Sequence, residues 1–180
     1  MNILIETDRL ILRELHDNDA PEMFEMDSDP KVHQFLGNQP ISTIIQSKAE
    51  IAFIRSQYLE NGIGRWAVIE KETNRFVGWS GLKLIKETCN NHINYYDIGY
   101  RFLRKYWSKG YATESARAAI NYGFEVLNAK EIIGIADLEN ASSINVLEKI
   151  GLKRIEIFDY RGKLHHWMRI EKRSDNSCIS

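Results

Sequence analysis

Cysteine and net charge are scarce in this chain, and each shortage argues against a class of protein. There are two cysteines in 180 residues, Cys89 and Cys178, far apart and not in metal-ligand spacing, so we expect neither a disulfide framework nor a metal site. The formal net charge of −1 argues against a protein that binds nucleic acid over a broad basic face. No apolar run is long enough to span a membrane, and the first residues lack the features of a signal peptide. We therefore expect a cytoplasmic protein with no metal, nucleic-acid or membrane partner.

The remaining composition suits a single domain with an ordinary core. Hydrophobic residues make up 43% of the chain and charged residues 27%, which is enough apolar material for one core. No repeat, low-complexity tract or linker divides the sequence. We expect one domain over residues 1–173, followed by a polar, disordered tail at residues 174–180.

Hydrophobic periodicity and turn residues predict the elements of this domain. Strands are expected at residues 10–14, 66–69, 76–84, 95–103, 131–136, 153–160 and 164–170, and helices at 17–26, 42–61, 113–127 and 141–150. Asp29 and Pro30 are expected to break the chain after the first helix. The strand–helix–strand segments in the centre imply parallel pairing, and the two hairpins imply antiparallel pairing. The pattern therefore predicts an α+β fold around one mixed sheet.

The segment from Trp107 to Glu114 carries the clearest chemical signal. It lies where the predicted strand 95–103 turns into the predicted helix 113–127. The first N–H groups of a helix lack acceptors within the helix, and its dipole is positive at this end, so such a turn suits an anion, above all a phosphate. Gly110 permits a turn closed to other residues and lets a ligand approach closely. The contacts expected are the main-chain amides of Lys109, Gly110, Tyr111, Ala112 and Thr113.

A second glycine motif predicts a turn rather than a nucleotide site. Gly62, Gly64 and Ala67 fit the dinucleotide-binding spacing Gly-x-Gly-x-x-Ala. That motif must follow a strand and open a helix, whereas here a helix precedes it and a strand follows. The sequence also has no Gly-x-x-x-x-Gly-Lys-Ser/Thr motif, which argues against a P-loop nucleotidase.

Four segments together resemble the GCN5-related N-acetyltransferases, and more narrowly the branch that includes the ribosomal-protein N-terminal alanine acetyltransferases. They are residues 7–13, 97–103, 107–114 and 140–152, and the resemblance extends from Thr7 to about Lys172. It implies a single domain with a mixed, mostly antiparallel sheet flanked by helices. In that fold the strands at 95–103 and 131–136 form a central parallel pair that splays apart. It also implies acetyl-CoA as co-substrate and an amine as acceptor.

The resemblance implies a role for particular residues of this chain. The main chain of Phe102 and Leu103 would face pantetheine, which lies in the gap between the splayed strands. The amides of residues 109–113 would hold the pyrophosphate. Asn140 would bind the pantetheine arm, and Ser143 or Asn145 would serve the sulfur end.

Two positions depart from the family pattern. Leu147 stands where the family often has a tyrosine that protonates the leaving thiolate, so Ser143, water or no acid at all takes that role. Arg104 lies near a position where the branch often has proline, and it is expected either to add positive charge by the phosphates or to be solvated.

The base that deprotonates the amine has one main candidate in the sequence. Asp97 lies on the strand 95–103, with Arg101 on the same face by alternation. Its carboxylate either accepts the amine proton or pairs with Arg101 or another cation. His92 and Tyr95 are alternative bases or substrate contacts. Further candidates lie at the closing hairpin, Tyr160, His165 and His166, of which adjacent His165 and His166 should point to opposite faces.

The sequence therefore predicts an N-acetyltransferase that transfers an acetyl group directly from acetyl-CoA to a primary amine in a ternary complex. The acceptor is either a protein N-terminus or a small amine, and the protein is a monomer or a homodimer. The alternative is a non-catalytic acetyl-CoA-binding sensor or scaffold, because a fold alone does not determine a function.

Overall fold

A computed structural model of the chain describes residues 3–173. The predicted tail, residues 174–180, and Cys178 lie outside the described residues. Within the described range the strands are β1 (Ile3–Glu6), β2 (Leu10–Arg13), β3 (Trp66–Glu70), β4 (Arg75–Ile85), β5 (Tyr95–Phe102), β6 (Glu131–Asp137), β7 (Lys153–Tyr160) and β8 (Lys163–Glu171). The helices are α1 (Ala20–Asp27), α2 (Pro30–His33), α3 (Ile44–Asn61), α4 (Tyr111–Glu125) and α5 (Ala141–Lys149), and single 3₁₀ turns cover Asp17–Asp19 and Arg104–Tyr106.

The strands form one sheet in the order β1-β2-β3-β4-β5-β6-β8-β7. Neighbouring strands are antiparallel except β5 and β6, which are parallel and pair only at Asp97 and Ile133. Both strands continue well beyond this pair, β5 to Phe102 and β6 to Asp137. They therefore separate toward their carboxyl ends, and this opening confirms the predicted α+β fold with a splayed parallel pair.

The helices cover opposite faces of the sheet. Asp27 at the end of α1 contacts Arg101 of β5, whereas a Cβ added to Gly123 of α4 would lie 2.7 Å from Leu82 of β4. Leu82 pairs with Ile98, whose position on β5 alternates with that of Arg101, so the two contacts lie on opposite faces. We call the side with α1, α2 and α3 the first face and the side with α4 and α5 the second face.

Two local elements were not predicted. Residues 3–6 form an additional edge strand, in which Ile5 pairs with Leu12 of β2. The expected break at Asp29 and Pro30 is confirmed, because α1 ends at Asp27, but a second helix, α2, begins directly after it at Pro30. The Asp29 carboxylate accepts the Lys31 N–H at 2.9 Å, and Pro30 takes the first helical position, where no N–H is needed.

Helix α4 packs unusually close to the sheet because its inner face is small. Ala116 and Ala119 are fully buried, and Gly123 leaves no room for a side chain between Leu82 and Ile132. This close approach fixes where the amino-terminal end of α4 points. Within residues 3–173 no helix combines the length and the hydrophobicity that crossing a bilayer requires.

Candidate active site

The turn before α4 exposes main-chain donors. Ser108 and Gly110 both adopt left-handed backbone conformations, with φ of 61° and 83°. Gly110 caps the helix, and its carbonyl accepts the Glu114 N–H at 3.0 Å. The amides of residues 111–113 therefore precede the first intrahelical donor, the Glu114 N–H, and they follow an exposed Gly110 at the positive end of a 15-residue helix. This geometry suits an anion, which the sequence leads us to expect at this turn.

The turn is held in place by the loop before β2. The Glu114 carboxylate accepts the Thr7 hydroxyl at 2.6 Å, the Arg9 N–H at 3.0 Å and Arg9 Nε–H at 2.7 Å. Arg9 Nη1 also donates to the Lys109 carbonyl at 3.0 Å. Burial alone would raise the pKa of Glu114, but the bonds from Thr7 and Arg9 lower it below its ordinary value. Arg9 thus neutralises the carboxylate nearest the anion site while it fixes the turn.

Tyr111 anchors the first residue of α4 to the end of β3. Its side chain is buried, and its hydroxyl donates to the Glu70 carboxylate. This bond raises the pKa of Tyr111 to about 12. Hydrogen bonds from Thr73 and then Tyr111 lower the pKa of Glu70, and Lys109 Nζ lies 4.0 Å from the same carboxylate. The side chains of Lys109 and Tyr111 therefore fasten the turn, and their amides are left for a ligand.

An open groove of about 890 Å³ begins at Gly110 and runs along α4. Three basic side chains line it, Arg9, Arg117 and Lys149. Four acidic side chains line the same groove, Glu6, Asp8, Glu114 and Glu125.

The carboxyl end of β5 directs one main-chain donor at the opening. Leu103 uses both of its main-chain groups within the protein, since its N–H donates to the Val77 carbonyl at 3.0 Å and its carbonyl accepts the Tyr106 N–H at 2.9 Å. Backbone groups of successive strand residues point to alternate neighbours, so the Phe102 N–H points away from β4 toward β6. The Phe102 carbonyl accepts Trp107 Nε1–H at 2.8 Å.

The first turn of α5 closes the second face of the opening. Asn140 Oδ1 accepts the Ser143 N–H at 3.1 Å and so caps the helix. The Tyr100 hydroxyl donates to the Ser143 carbonyl at 3.0 Å and lies 3.2 Å from Ser143 Oγ. Burial raises the pKa of Tyr100 above its ordinary value, so the phenol stays protonated. Asn145 is exposed, and Leu147 is buried in the core.

On the first face, Asp97 pairs with a cation that the sequence did not suggest. The partner is Arg65 rather than Arg101, and its guanidinium donates to the Asp97 carboxylate and to the carbonyls of Asp97 and Gly81. A Cβ on Gly99 would lie 2.7 Å from Arg65 Nη2, so glycine leaves room for this guanidinium. Burial raises the pKa of the Asp97 carboxyl, and the Arg65 charge opposes the rise.

Arg101 binds Asp27 instead. Arg101 Nη1 lies 2.7 Å from Asp27 Oδ1, and His33 Nε2 lies 3.8 Å from the same oxygen. Neither ring nitrogen of His33 has a hydrogen-bond partner among the described residues. Burial and then the Arg101 charge lower the pKa of His33, against the attraction of Asp27. The cluster ties α1 and α2 to the end of β5.

Two further ion pairs reinforce this connection. Arg104 Nε lies 3.0 Å from Asp29 Oδ2, and Lys105 Nζ lies 2.8 Å from Glu25 Oε1. The 3₁₀ turn that follows β5 therefore contacts α1 and the residue that caps α2, and Arg104 is directed to Asp29.

All the other candidate bases except His166 lie in an aromatic cluster on the first face. His92 and Tyr95 lie against Trp167, with ring centroids 4.7 and 5.2 Å away. Tyr160 contacts His165 at 5.4 Å. His166 lies on the opposite face, near Arg154 of β7, and burial and then this charge lower its pKa.

The residues that sequence reasoning missed share one property, because each acts through a distant partner. Arg65 follows the Gly-x-Gly segment interpreted as a turn, and it contacts a strand 32 positions later. Tyr100 lies 43 positions from Ser143, and Arg9 lies 105 positions from Glu114. A sequence signal existed only for Tyr100 and Arg9, which lie inside the segments that carry the family resemblance.

A sheet whose one parallel pair splays apart next to a glycine-capped helix is the architecture of a coenzyme A-dependent acetyltransferase. Residues 9–153 match the family model described as an acetyltransferase (GNAT) domain. The chain belongs to this family and is an N-acetyltransferase.

Relatives and solved structures agree with this assignment. The chain is 31% identical to the uncharacterised N-acetyltransferase p20 of Bacillus licheniformis, over 82% of this chain and 81% of that protein. It is 26% identical to spermidine N(1)-acetyltransferase of Escherichia coli K12, over 86% of this chain and 75% of that enzyme. A GNAT-family acetyltransferase from Bacillus anthracis superimposes with a TM-score of 0.76 at 27% identity, covering 93% of this chain and 97% of that one.

The ribosomal branch is supported only by fold. RimL, a ribosomal L7/L12 α-N-protein acetyltransferase solved with coenzyme A, superimposes with a TM-score of 0.79. The identity is 14%, over 94% of this chain and 98% of RimL. This likeness concerns the fold and leaves the branch undetermined.

Proposed function

We propose that this protein transfers an acetyl group from acetyl-CoA to a primary amine while both substrates are bound. The observation that carries the proposal is the opening between β5 and β6, which pair at one residue and then diverge. The opening lies next to the glycine-capped start of α4. A strand gap suits an extended arm, and the helix start suits its phosphates.

The donor side follows from these two features. The amides of Gly110, Tyr111, Ala112 and Thr113, with that of Lys109, would hold the pyrophosphate, and the groove along α4 would receive the nucleotide end beside Arg117 and Lys149. The Phe102 N–H and the Asn140 side chain would bind the pantetheine arm, with exposed Asn145 next to it. Leu103, which was also expected here, would border the pantetheine arm without a main-chain hydrogen bond to it, since its N–H and carbonyl are already bonded within the protein.

Ser143 and Tyr100 would serve the sulfur end. Leu147 is buried and has no proton to give, whereas the Ser143 hydroxyl lies 3.2 Å from the Tyr100 hydroxyl. Because the pKa of Tyr100 is raised, its phenol remains a donor that orients Ser143 at neutral pH. A hydrogen bond from this pair would stabilise the developing thiolate.

Asp97 would take the proton of the amine. It lies at the point where β5 and β6 diverge, and one of its oxygens is bonded to Arg65. A carboxyl pKa raised by burial makes a stronger base than an ordinary aspartate. Holding both substrates in attacking geometry supplies much of the remaining acceleration.

Both acceptor classes predicted from the sequence fit this site. A small amine is supported by the relationship to spermidine N(1)-acetyltransferase, and a protein N-terminus by the structural likeness to RimL. The donor half of the reaction is the same in either case.

Binding and turnover of acetyl-CoA test the proposal. Gly110→Asp should weaken acetyl-CoA binding by at least tenfold in isothermal titration, because the side chain blocks the turn and adds like charge. Gly162→Asp is the matched control, since Gly162 has the same φ of 83° in the distant β7–β8 turn. Thiol release with a panel of amines and N-terminal peptides then measures transfer.

The outcomes separate the parts of the proposal. Equal affinity in the two glycine variants would exclude the α4 turn as the pyrophosphate site. Binding of acetyl-CoA without thiol release from any amine would favour a sensor over an enzyme.

A further inference from the structure

We propose that the acceptor amine carries an anionic group, and that Lys83 and Phe53 recognise it on the first face. The inference rests on the proposed function and deepens it, since it names the class of acceptor. It places this protein apart from polyamine acetyltransferases in substrate chemistry.

The acceptor must approach from the first face. Helix α4 packs against β4, β5 and β6, and α5 packs against β6, so the second face of the opening is covered. On the first face α1 packs against β4, and α3 packs on α1 rather than over the opening. Asp97, the proposed base, also lies on this face.

A polycationic acceptor needs carboxylates that are free to bind it, and four of the carboxylates on this side already have basic partners. Asp97 is bonded to Arg65, and Asp27 is bonded to Arg101 at 2.7 Å. The same holds for two more pairs, Asp29 with Arg104 and Glu25 with Lys105. These four ion pairs carry no net charge, and none of their carboxylates is free to bind a polyamine.

The segment between α2 and α3 supplies no further carboxylate for a polyamine. Residues 34–43 read Gln-Phe-Leu-Gly-Asn-Gln-Pro-Ile-Ser-Thr and contain neither an acidic nor a basic residue. This neutral segment follows His33, whose helix is tied to β5 through Asp27. The segment therefore has no acidic side chain that could bind a cationic acceptor.

Lys83 is the charged side chain directly beside the proposed base. It pairs with Asp97 across β4 and β5, so both side chains lie on the first face. Lys83 Nζ lies 5.4 Å from the ring centroid of Phe53 on α3, and no carboxylate among the described residues pairs with it. Phe53 is 52% exposed. A lysine and an exposed ring side by side suit an anionic group attached to an apolar body.

Matched acceptors test this directly. The C-terminally amidated dipeptides Ala-Glu, Ala-Gln and Ala-Lys present the same amine with negative, neutral and positive side chains and no terminal carboxylate, and spermidine represents a polycation. The protein should acetylate Ala-Glu with a kcat/KM at least several-fold above that for Ala-Lys, and spermidine least of all. Free glutamate, tested beside Ala-Glu, distinguishes a small amino acid from a peptide N-terminus as the source of the anion.

A charge reversal at one position links the preference to Lys83. Lys83→Glu should shift the Ala-Glu to Ala-Lys ratio by about tenfold or more toward Ala-Lys. Lys86→Glu is the matched control, because Lys86 is exposed just beyond the end of the same strand. The dissociation constant for acetyl-CoA should be the same in both variants.

Each outcome bears on one hypothesis. A preference for spermidine or Ala-Lys in the unmodified protein would overturn the anionic acceptor, as would equal ratios in the two lysine variants. Thiol release from none of the amines, despite acetyl-CoA binding, would overturn the proposed transfer itself.

Discussion

At the scale of single residues, we propose that the Tyr100 hydroxyl orients Ser143 for the role that Leu147 cannot take. It contacts both the carbonyl and the hydroxyl of Ser143. Tyr100→Phe removes this contact and should lower kcat roughly tenfold with little change in the KM for acetyl-CoA. Tyr96→Phe, on the same strand and face, is the control and should leave kcat unchanged. Steady-state kinetics measure both, and a normal kcat in Tyr100→Phe would remove Tyr100 from the reaction.

Asp97 is both a proposed base and one half of a buried ion pair, and two measurements separate these roles. Below its pKa the carboxyl is protonated and cannot accept a proton, so activity should fall toward acidic pH. Asp97→Asn should remove that acidic limb from the kcat/KM profile. It should also lower the free energy of unfolding by about 3–5 kcal/mol, because Arg65 loses its counter-charge. An unchanged acidic limb with lowered stability would leave Asp97 a structural role alone.

Sequence reasoning located residues whose function is local and missed those that act through a partner. The Gly110 turn follows from a glycine at the start of a helix, and the structure places a left-handed residue there. The partner of Asp97 was not predictable, because two cations lay within reach of a plausible strand face. Arg101 shares that face by alternation, yet α1 brings Asp27 to it, and Arg65 reaches Asp97 from just before the start of β3, two strands away.

At the scale of elements, the start of α4 depends on the loop that precedes β2. Glu114 is bonded to Thr7 and Arg9, and 18% of its side chain is exposed. Glu114→Ala should lower the free energy of unfolding by about 1–3 kcal/mol in urea titration. Glu125→Ala is the control, since its carboxylate is 74% exposed at the other end of the helix and should contribute little.

The pH dependence checks the sign of this effect. The folded pKa of Glu114 is lowered, so its contribution is present above the ordinary carboxyl pKa and is lost as pH falls through the folded value. The difference between the wild type and Glu114→Ala should therefore shrink toward acidic pH. A difference that stays constant with pH would show that side-chain packing, and not the charge, stabilises the turn.

Elements whose residues show a clear apolar pattern were predictable, and two short elements, β1 and α2, were not. The paired strands and α3, α4 and α5 follow from their apolar spacing, because tertiary packing agrees with the local pattern. β1 has four residues and is a strand because β2 offers an edge to pair with. α2 forms because the Asp29 carboxylate caps it. The pair Asp29 and Pro30, which was expected only to end a helix, therefore also begins one.

At the scale of the whole molecule, our proposal divides the reaction between the two faces of the sheet. The second face, with α4 and α5, holds the features suited to the donor, and the first face, with α1 to α3, holds Asp97 and the paired charges. The opening between β5 and β6 joins them. The order of strands follows from the sequence pattern, whereas the charges on the first face depend on side chains from α1, β3, β4 and β5. The acceptor was therefore the part of the function least accessible from sequence.

The same first-face cluster predicts how the stability of the whole fold depends on pH. His33 is buried beside Asp27 and Arg101, its ring nitrogens lack partners among the described residues, and its folded pKa is lowered from 6.5. Below pH 6.5 the unfolded chain binds a proton that the folded chain does not. The free energy of unfolding therefore decreases as the pH is lowered, by up to about 1.4 kcal/mol per pH unit.

His33→Leu should remove this slope below about pH 6.5 and leave stability near neutral pH unchanged or higher, because an unpaired polar ring is replaced by an apolar side chain of similar size. His165→Leu, on the partly exposed surface of β8, should keep the wild-type slope. Urea titrations at half-unit pH intervals measure all three proteins. Parallel pH curves for the wild type and His33→Leu would show that His33 binds its proton equally well in both states, and the acid sensitivity would then belong to the carboxylates of the sheet.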